Sequence, residues 1–226
     1  MALKILFKYT SRSRRDNFFR GMDSIVNNLS NKEDYHILVS LDVDDAVMRN
    51  EEVLEKIKSY KNTNVYYGIS YSKIDAINRD LPLAKDFDIL VNFSDDQVFT
   101  QFGFDDIIRQ QMLDSFPDTD GFLHFHDGNQ NRLATMSIVG KKYFDRTNYI
   151  YHPDYQSVYC DNEEQEKAKI LGKYKYAGDS MKIMMHIHPA MGHGKHLLDE
   201  QYIRTESFYP VDKETYHRRM AINFGL

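Results

Sequence analysis

Apolar and polar residues follow two different rhythms along the first hundred positions. Residues 3–9 form a short apolar run that stops at the polar stretch 10–16. Over 17–29, Phe18, Met22, Ile25, Val26 and Leu29 recur at three- and four-residue steps, the spacing of one helix face. Residues 35–41 then read as a strand that runs into the acidic cluster Asp42 to Asp45. A second helical pattern carries Val53, Leu54 and Ile57 among glutamates and lysines. A strand over 64–69, a short helix over 72–79 and a buried strand over 87–93 complete this part. Strand and helix alternating at this spacing predict right-handed crossovers and a mainly parallel sheet with helices on both faces.

The second part is less regular. Helices are predicted over 105–113, 161–171 and 212–222, and strands over 121–126, 133–139 and 182–188, the last cut off by Pro189. Residues 190–209 read as loop with a short helix. No repeat or linker interrupts the chain, which predicts one compact α/β domain over 1–226, with a functional half in 1–100 and another in 101–226.

Composition narrows the function. With 29 basic and 34 acidic residues the formal charge is −5, which disfavours a general nucleic-acid coat or a polybasic membrane binder. The single Cys160 excludes an internal disulfide framework and any zinc site built on several thiolates. No apolar run approaches the roughly 20 residues that span a bilayer. Residues 1–9 are too short and lysine-interrupted for a signal peptide. These features predict a cytoplasmic location.

In parallel sheets, ligands sit beyond the carboxyl ends of the strands. Three strands here end in polar clusters: 10–15, 42–45 and Ser94-Asp95-Asp96. The third is the sharpest, an acidic pair closing a strong apolar strand. Its oxygens suit Mg2+ or Mn2+, which take one or two protein carboxylates alongside phosphate and water. A plain Asx turn is the other reading. His186 and His188 lie two apart on a strand and project the same way, so one could complete a metal site begun by Asp96. Zinc held by His186, His188 and His193 competes, with His196 nearby, but it leaves the carboxylates unexplained.

Arg12, Arg14 and Arg15 lie ahead of a helix, where guanidinium forks and backbone donors match a diphosphate, a nucleic-acid backbone or only solvent. In Lys73-Ile74-Asp75-Ala76-Ile77-Asn78, the small Ala76 would let a helix approach a nucleotide. Asp161 and Glu164 have the spacing of a capping box, and Asp161 also qualifies as a general base. Asp127-Gly128 reads as a hairpin turn or as part of an acceptor pocket.

In this order and spacing the residues resemble the GT-A class of nucleotide-sugar glycosyltransferases, close to the family-2-like enzymes, over most of the chain. The matching pieces are Tyr9-Thr10-Ser11-Arg12, Asp42, Lys73-x-x-Ala76-x-Asn78, Ser94-Asp95-Asp96 in the place of the DxD motif, Asp161-Asn162-Glu163 and a downstream histidine. The resemblance implies a GT-A, Rossmann-like fold with a mixed, mainly parallel sheet. It implies Thr10, Ser11, Arg12 and Asp42 at the nucleobase, Lys73 and Asn78 at base and ribose, and Asp95 at the donor. Asp96 and His188 would hold Mn2+ or Mg2+, and Asp161 or Glu163 would deprotonate the acceptor. Gly103-Phe104-Asp105 resembles the region that follows the metal motif. The motif here is Ser-Asp-Asp rather than Asp-x-Asp.

The implied reaction moves a sugar from a nucleoside diphosphate sugar, a UDP-sugar, to an acceptor hydroxyl with inversion. A nucleotidyltransferase and a non-catalytic nucleotide-sugar-binding protein are the alternatives. The acceptor is a glycan or another hydroxyl. A cluster of Arg12, Arg14, Arg15 and Arg20 admits a modified DNA base, against which the net charge weighs.

Overall fold

A computed structural model describes residues 2–189 and 198–226. The expectations for His193, His196 and the loop over 190–197 lie outside the described residues.

Seven strands form one sheet: β1 (Ile5–Thr10), β2 (Tyr35–Asp42), β3 (Thr63–Gly68), β4 (Ile89–Ser94), β6 (Phe122–His124), β7 (Ile138–Gly140) and β8 (Tyr174–Tyr176). Their order is β3-β2-β1-β4-β7-β6-β8. β1 pairs in parallel with both β2 and β4, β2 with β3, and β6 with β8, whereas β7 runs antiparallel to β4 and β6. The sheet is therefore mixed and mainly parallel. A separate antiparallel pair joins β5 (Gln97–Phe99) to β9 (Met184–His186), with Gln97 opposite His186.

Alternation along the strands sends successive side chains to opposite faces. Ile5, Phe7 and Tyr9 face α1 (Arg15–Asn28), α2 (Glu51–Lys58) and α4 (Phe104–Ser115), packing with Met22, Ile57 and Ile108. Leu6, Leu38 and Leu90 face α3 (Lys73–Asn78), α5 (Lys141–Phe144) and α6 (Cys160–Ile170), packing with Ile77, Tyr143 and Ala168. The two last helices, α7 (Glu200–Ser207) and α8 (Tyr209–Ala221), close the domain. Gly21 lets α1 settle onto the sheet, because a Cβ there would run into the Tyr9 hydroxyl and the Phe93 ring. Among the described residues no helix is long and apolar enough to cross a membrane.

Several boundaries differ from expectation. β5 and β8 are three-residue strands that no periodicity announces. The strand expected over 133–139 shrinks to β7, because residues 126–137 turn and bend to serve Asp127 and Gln165. β9 does not join the main sheet. α1 begins at Arg15, so this arginine belongs to the helix and pairs with Glu52 rather than lying in the loop. No capping box starts α6: its N-cap is Tyr159 at φ 63°, and Asp161 is the second helical residue.

Candidate functional site

The carboxyl ends of β1, β2 and β4 open onto a cavity of about 590 Å3. Thr10, Ser11, Arg12, Asp42, Lys73, Asp95, Asp96, Asp161 and His188 all line it. The loops reach it because three adjacent parallel strands end in the same direction, which places residues far apart in sequence around one crevice.

Charge on the β1 side is ordered by tight pairing. Arg12 Nη1 donates to Asp42 Oδ2 at 2.8 Å, and its fork grips both oxygens of Asp44 at 2.8 Å. Arg79 Nη1 reaches the other Asp42 oxygen at 3.3 Å, leaving this buried carboxylate between two guanidinium groups. Asp45, by contrast, is a turn clamp that accepts from the Ser13 and Val47 backbone.

The acidic pair at the end of β4 divides its work. Asp95 is buried and accepts from Ser11 Oγ at 2.6 Å and Arg14 Nη1 at 3.1 Å. Burial pushes its carboxyl up to about 6, against the pull of Arg14. Burial acts on Asp96 in the same direction, but the hydrogen bond and charge of His186, together with the charge of Lys73 and the Ser94 hydroxyl, hold that carboxyl low. The β5–β9 register causes the His186 contact. Ile187 N donates to Asp96 O at 2.7 Å, and His186 Nε2 comes to 3.4 Å from Asp96 Oδ2. Asp127 lies 3.8 Å from the other ring nitrogen, and the two carboxylates raise the imidazole to about 9 against the effect of burial. The His188 ring stands 5.2 Å from that of His186 and edge-on to Tyr202.

The donor set suits a hard divalent cation. Asp96 Oδ1 is buried without a hydrogen-bond partner among the described residues, an acceptor left over after His186 and Tyr202 approach the other oxygen. His188 lines the same cavity. Among the described residues no three His, Cys, Asp or Glu side chains converge on one point.

Asp161 is half-buried in the cavity lining, and burial raises its carboxyl while the charge of Lys73 opposes the rise. Glu163 must be corrected. It points away from the cavity and is fully buried, where Arg219 Nε and Nη2 grip it at 2.6 and 2.7 Å and Tyr155 Oη donates at 2.8 Å. A carboxylate so saturated cannot take a proton from an acceptor in the crevice. Asn78 is the second correction: its amide clamps the Ile150 and Tyr151 backbone, donating to Tyr151 O at 2.7 Å, and it does not line the cavity. Asp105 is likewise a buried clamp, accepting from the Ser30 and Asn31 backbone and from Arg109. Asp127 forms the expected turn with Asn129 and Gln130.

Sequence reasoning missed the contribution of α7. Asp199, its N-cap, receives both a 2.7 Å and a 2.6 Å bond from Arg14, whose guanidinium also stacks 4.1 Å over the Tyr202 ring. The short helix expected within 190–209 is α7, and Asp199 followed by Glu200 is the helix-start signal that marks its beginning.

No protein-family model and no curated protein sequence matches the chain. Solved structures do resemble it. A mannosyltransferase, PcManGT from Pyrobaculum calidifontis in complex with GDP-Man and Mn2+, superposes with a TM-score of 0.66 at 10% identity, covering 85% of this chain and 59% of that one. TarS from S. aureus in complex with UDP-GlcNAc gives 0.62 at 13% identity, covering 78% and 56%. The chain thus spans less than two thirds of the length of either. It has the GT-A fold of nucleotide-sugar glycosyltransferases, with a mixed, mainly parallel sheet in one domain.

Proposed function

We propose that this protein is a glycosyltransferase that moves a sugar from a UDP-sugar to an acceptor hydroxyl, with inversion and with Mn2+ or Mg2+ as cofactor. The observation that carries the reading is the shared cavity. The buried Asp95–Asp96 pair, His188 and the half-buried Asp161 open on it from different elements. The folds that superpose here hold GDP-Man with Mn2+ in one case and UDP-GlcNAc in another, which supports a nucleotide-sugar donor.

Residues 1–100 supply the donor half. Thr10, Ser11, Arg12 and Asp42 border the nucleobase, Lys73 approaches the ribose and phosphates, and Asp95 accepts from donor hydroxyls. Asp96 and His188 would hold the cation, which supplies charge compensation for the departing diphosphate when bound. Asp161, contributed by residues 101–226, takes the proton of the acceptor hydroxyl. A raised carboxyl is the stronger base, and its place on the first turn of α6 fixes its direction.

Thermal-shift measurements with UDP- and GDP-sugars, with and without Mn2+, test the donor. Asp96→Asn loses the Mn2+-dependent part of the shift. Asp161→Asn keeps the shift and loses roughly 10²- to 10⁴-fold in turnover. Release of pyrophosphate instead of UDP overturns the reading in favour of nucleotidyl transfer, and full turnover in both variants overturns the site.

A further inference from the structure

Beyond the donor groups, the cavity continues along α7 to a mouth built differently from the rest. Gln201, Thr205 and Phe208 line it at three- and four-residue steps, so one face of α7 and its end forms a wall. Tyr159, the N-cap of α6 two positions before Asp161, lines the same cavity. Its φ of 63° lies in the left-handed region, which a bulky side chain enters only at a cost of roughly 1–3 kcal/mol. The Tyr159 ring packs against those of Tyr209 and Tyr216, at 5.2 and 5.5 Å between centroids, and its hydroxyl donates to that of Tyr209 at 2.7 Å. The Tyr209 ring is 44% exposed and lines the same cavity. The half-buried Tyr159 and the exposed Tyr209 thus form an aromatic pair at the cavity, with Tyr159 two residues before the carboxylate assigned as base.

Resting on the glycosyltransferase reading, we infer that the acceptor is a saccharide, seated with one ring face on the Tyr159–Tyr209 pair. A pyranose presents aliphatic C–H bonds on its faces and hydroxyls around its rim. Aromatic rings suit the faces, while amide and hydroxyl groups such as Asn162, Gln201 and Thr205 suit the rim. A nucleic-acid acceptor would instead need a continuous basic track for its phosphates. The basic groups of the cavity do not form one here. Arg12 and Arg14 are engaged by Asp42, Asp44, Asp95 and Asp199.

Saturation-transfer NMR with maltotriose, cellotriose and chitotriose, each in the presence of UDP and Mn2+, tests the assignment, with oligothymidylate as the rival ligand. At least one trisaccharide receives saturation on its ring C–H protons. Tyr209→Ala weakens that binding by about ten-fold or more, and Tyr209→Phe, which keeps the ring, retains it. The UDP-induced thermal shift stays at the wild-type value in both variants. Absence of transfer to every trisaccharide, transfer undiminished in Tyr209→Ala, or binding of the oligothymidylate in their place overturns the inference. Loss of the UDP shift in the wild-type protein would instead overturn the glycosyltransferase reading on which it rests.

Discussion

Replacing Glu163 by Gln separates a buried carboxylate tied to Arg219 from Asp161, the carboxylate proposed as the base. In the native fold Glu163 is 1% exposed and receives two bonds from Arg219, itself 6% exposed, and a third from Tyr155. The Glu163→Gln change would leave the guanidinium in the interior without a counter-charge. Breaking a buried pair on one side costs about 3–5 kcal/mol, because the remaining ion keeps its desolvation penalty and loses the attraction that offset it. A chain of 226 residues has an unfolding entropy near 0.5 kcal/mol/K, so the expected fall in Tm is about 6–10 °C. Differential scanning calorimetry reads the fall. Turnover is then assayed well below the new Tm, where folded Glu163→Gln retains the wild-type rate within a few-fold. Asp161→Asn gives the opposite signature. Its Tm is unchanged or raised, since burial already disfavours the charge, while turnover collapses. A Glu163→Gln protein with wild-type Tm and hundred-fold lower turnover would refute the reasoning and make Glu163 the base.

Three further outcomes are expected. Burial holds the imidazoles of His36 and His124 at about 4, against an ordinary 6.5, so the unfolded chain takes up protons between those values and the folded one does not. The contribution of these two histidines is therefore full above pH 6.5 and is lost as pH drops towards 4, by up to about 3 kcal/mol each. Urea midpoints across that window should fall less steeply in the His36→Gln/His124→Gln protein, and parallel profiles would refute the account. Gly21→Ala forces a methyl group against the Tyr9 hydroxyl and should cost about 1–3 kcal/mol, partly restored by Tyr9→Phe; chemical denaturation of the single and double variants checks this. Asn78→Ala strands the Ile150 and Tyr151 backbone groups and should cost about 1–3 kcal/mol while leaving UDP affinity intact, as calorimetric titration would show.

The sheet and its first helices were legible because their burial is written in spacing. β1, β2 and β4 are runs of buried residues, and Phe18, Met22 and Ile25 mark a single face of α1. The convergence of Thr10, Asp42 and Asp96 followed from strand direction alone. What spacing could not show was long-range partnership. The local sequence of Glu163 and Asn78 suits a site as well as a clamp, and only Arg219 on α8 and the loop at Tyr151 decide which each is. β5 and β8 are too short to display a period. Tyr159 reads as an ordinary aromatic residue until its backbone angle is known, and that angle is also what displaces the expected capping box.

Because β5 is stitched to β9, Asp96 acquires its histidine neighbour only when residue 186 arrives beside residue 97. Closing so long a loop costs about 4 kcal/mol in chain entropy, a sum the three-residue pairing recovers only once the rest of the domain is in place. The imidazole beside Asp96 therefore depends on a strand pair and not on local sequence, so a change that unpairs Gln97 to Phe99 from Met184 to His186 would strip this carboxylate of its neighbour while leaving both side chains intact.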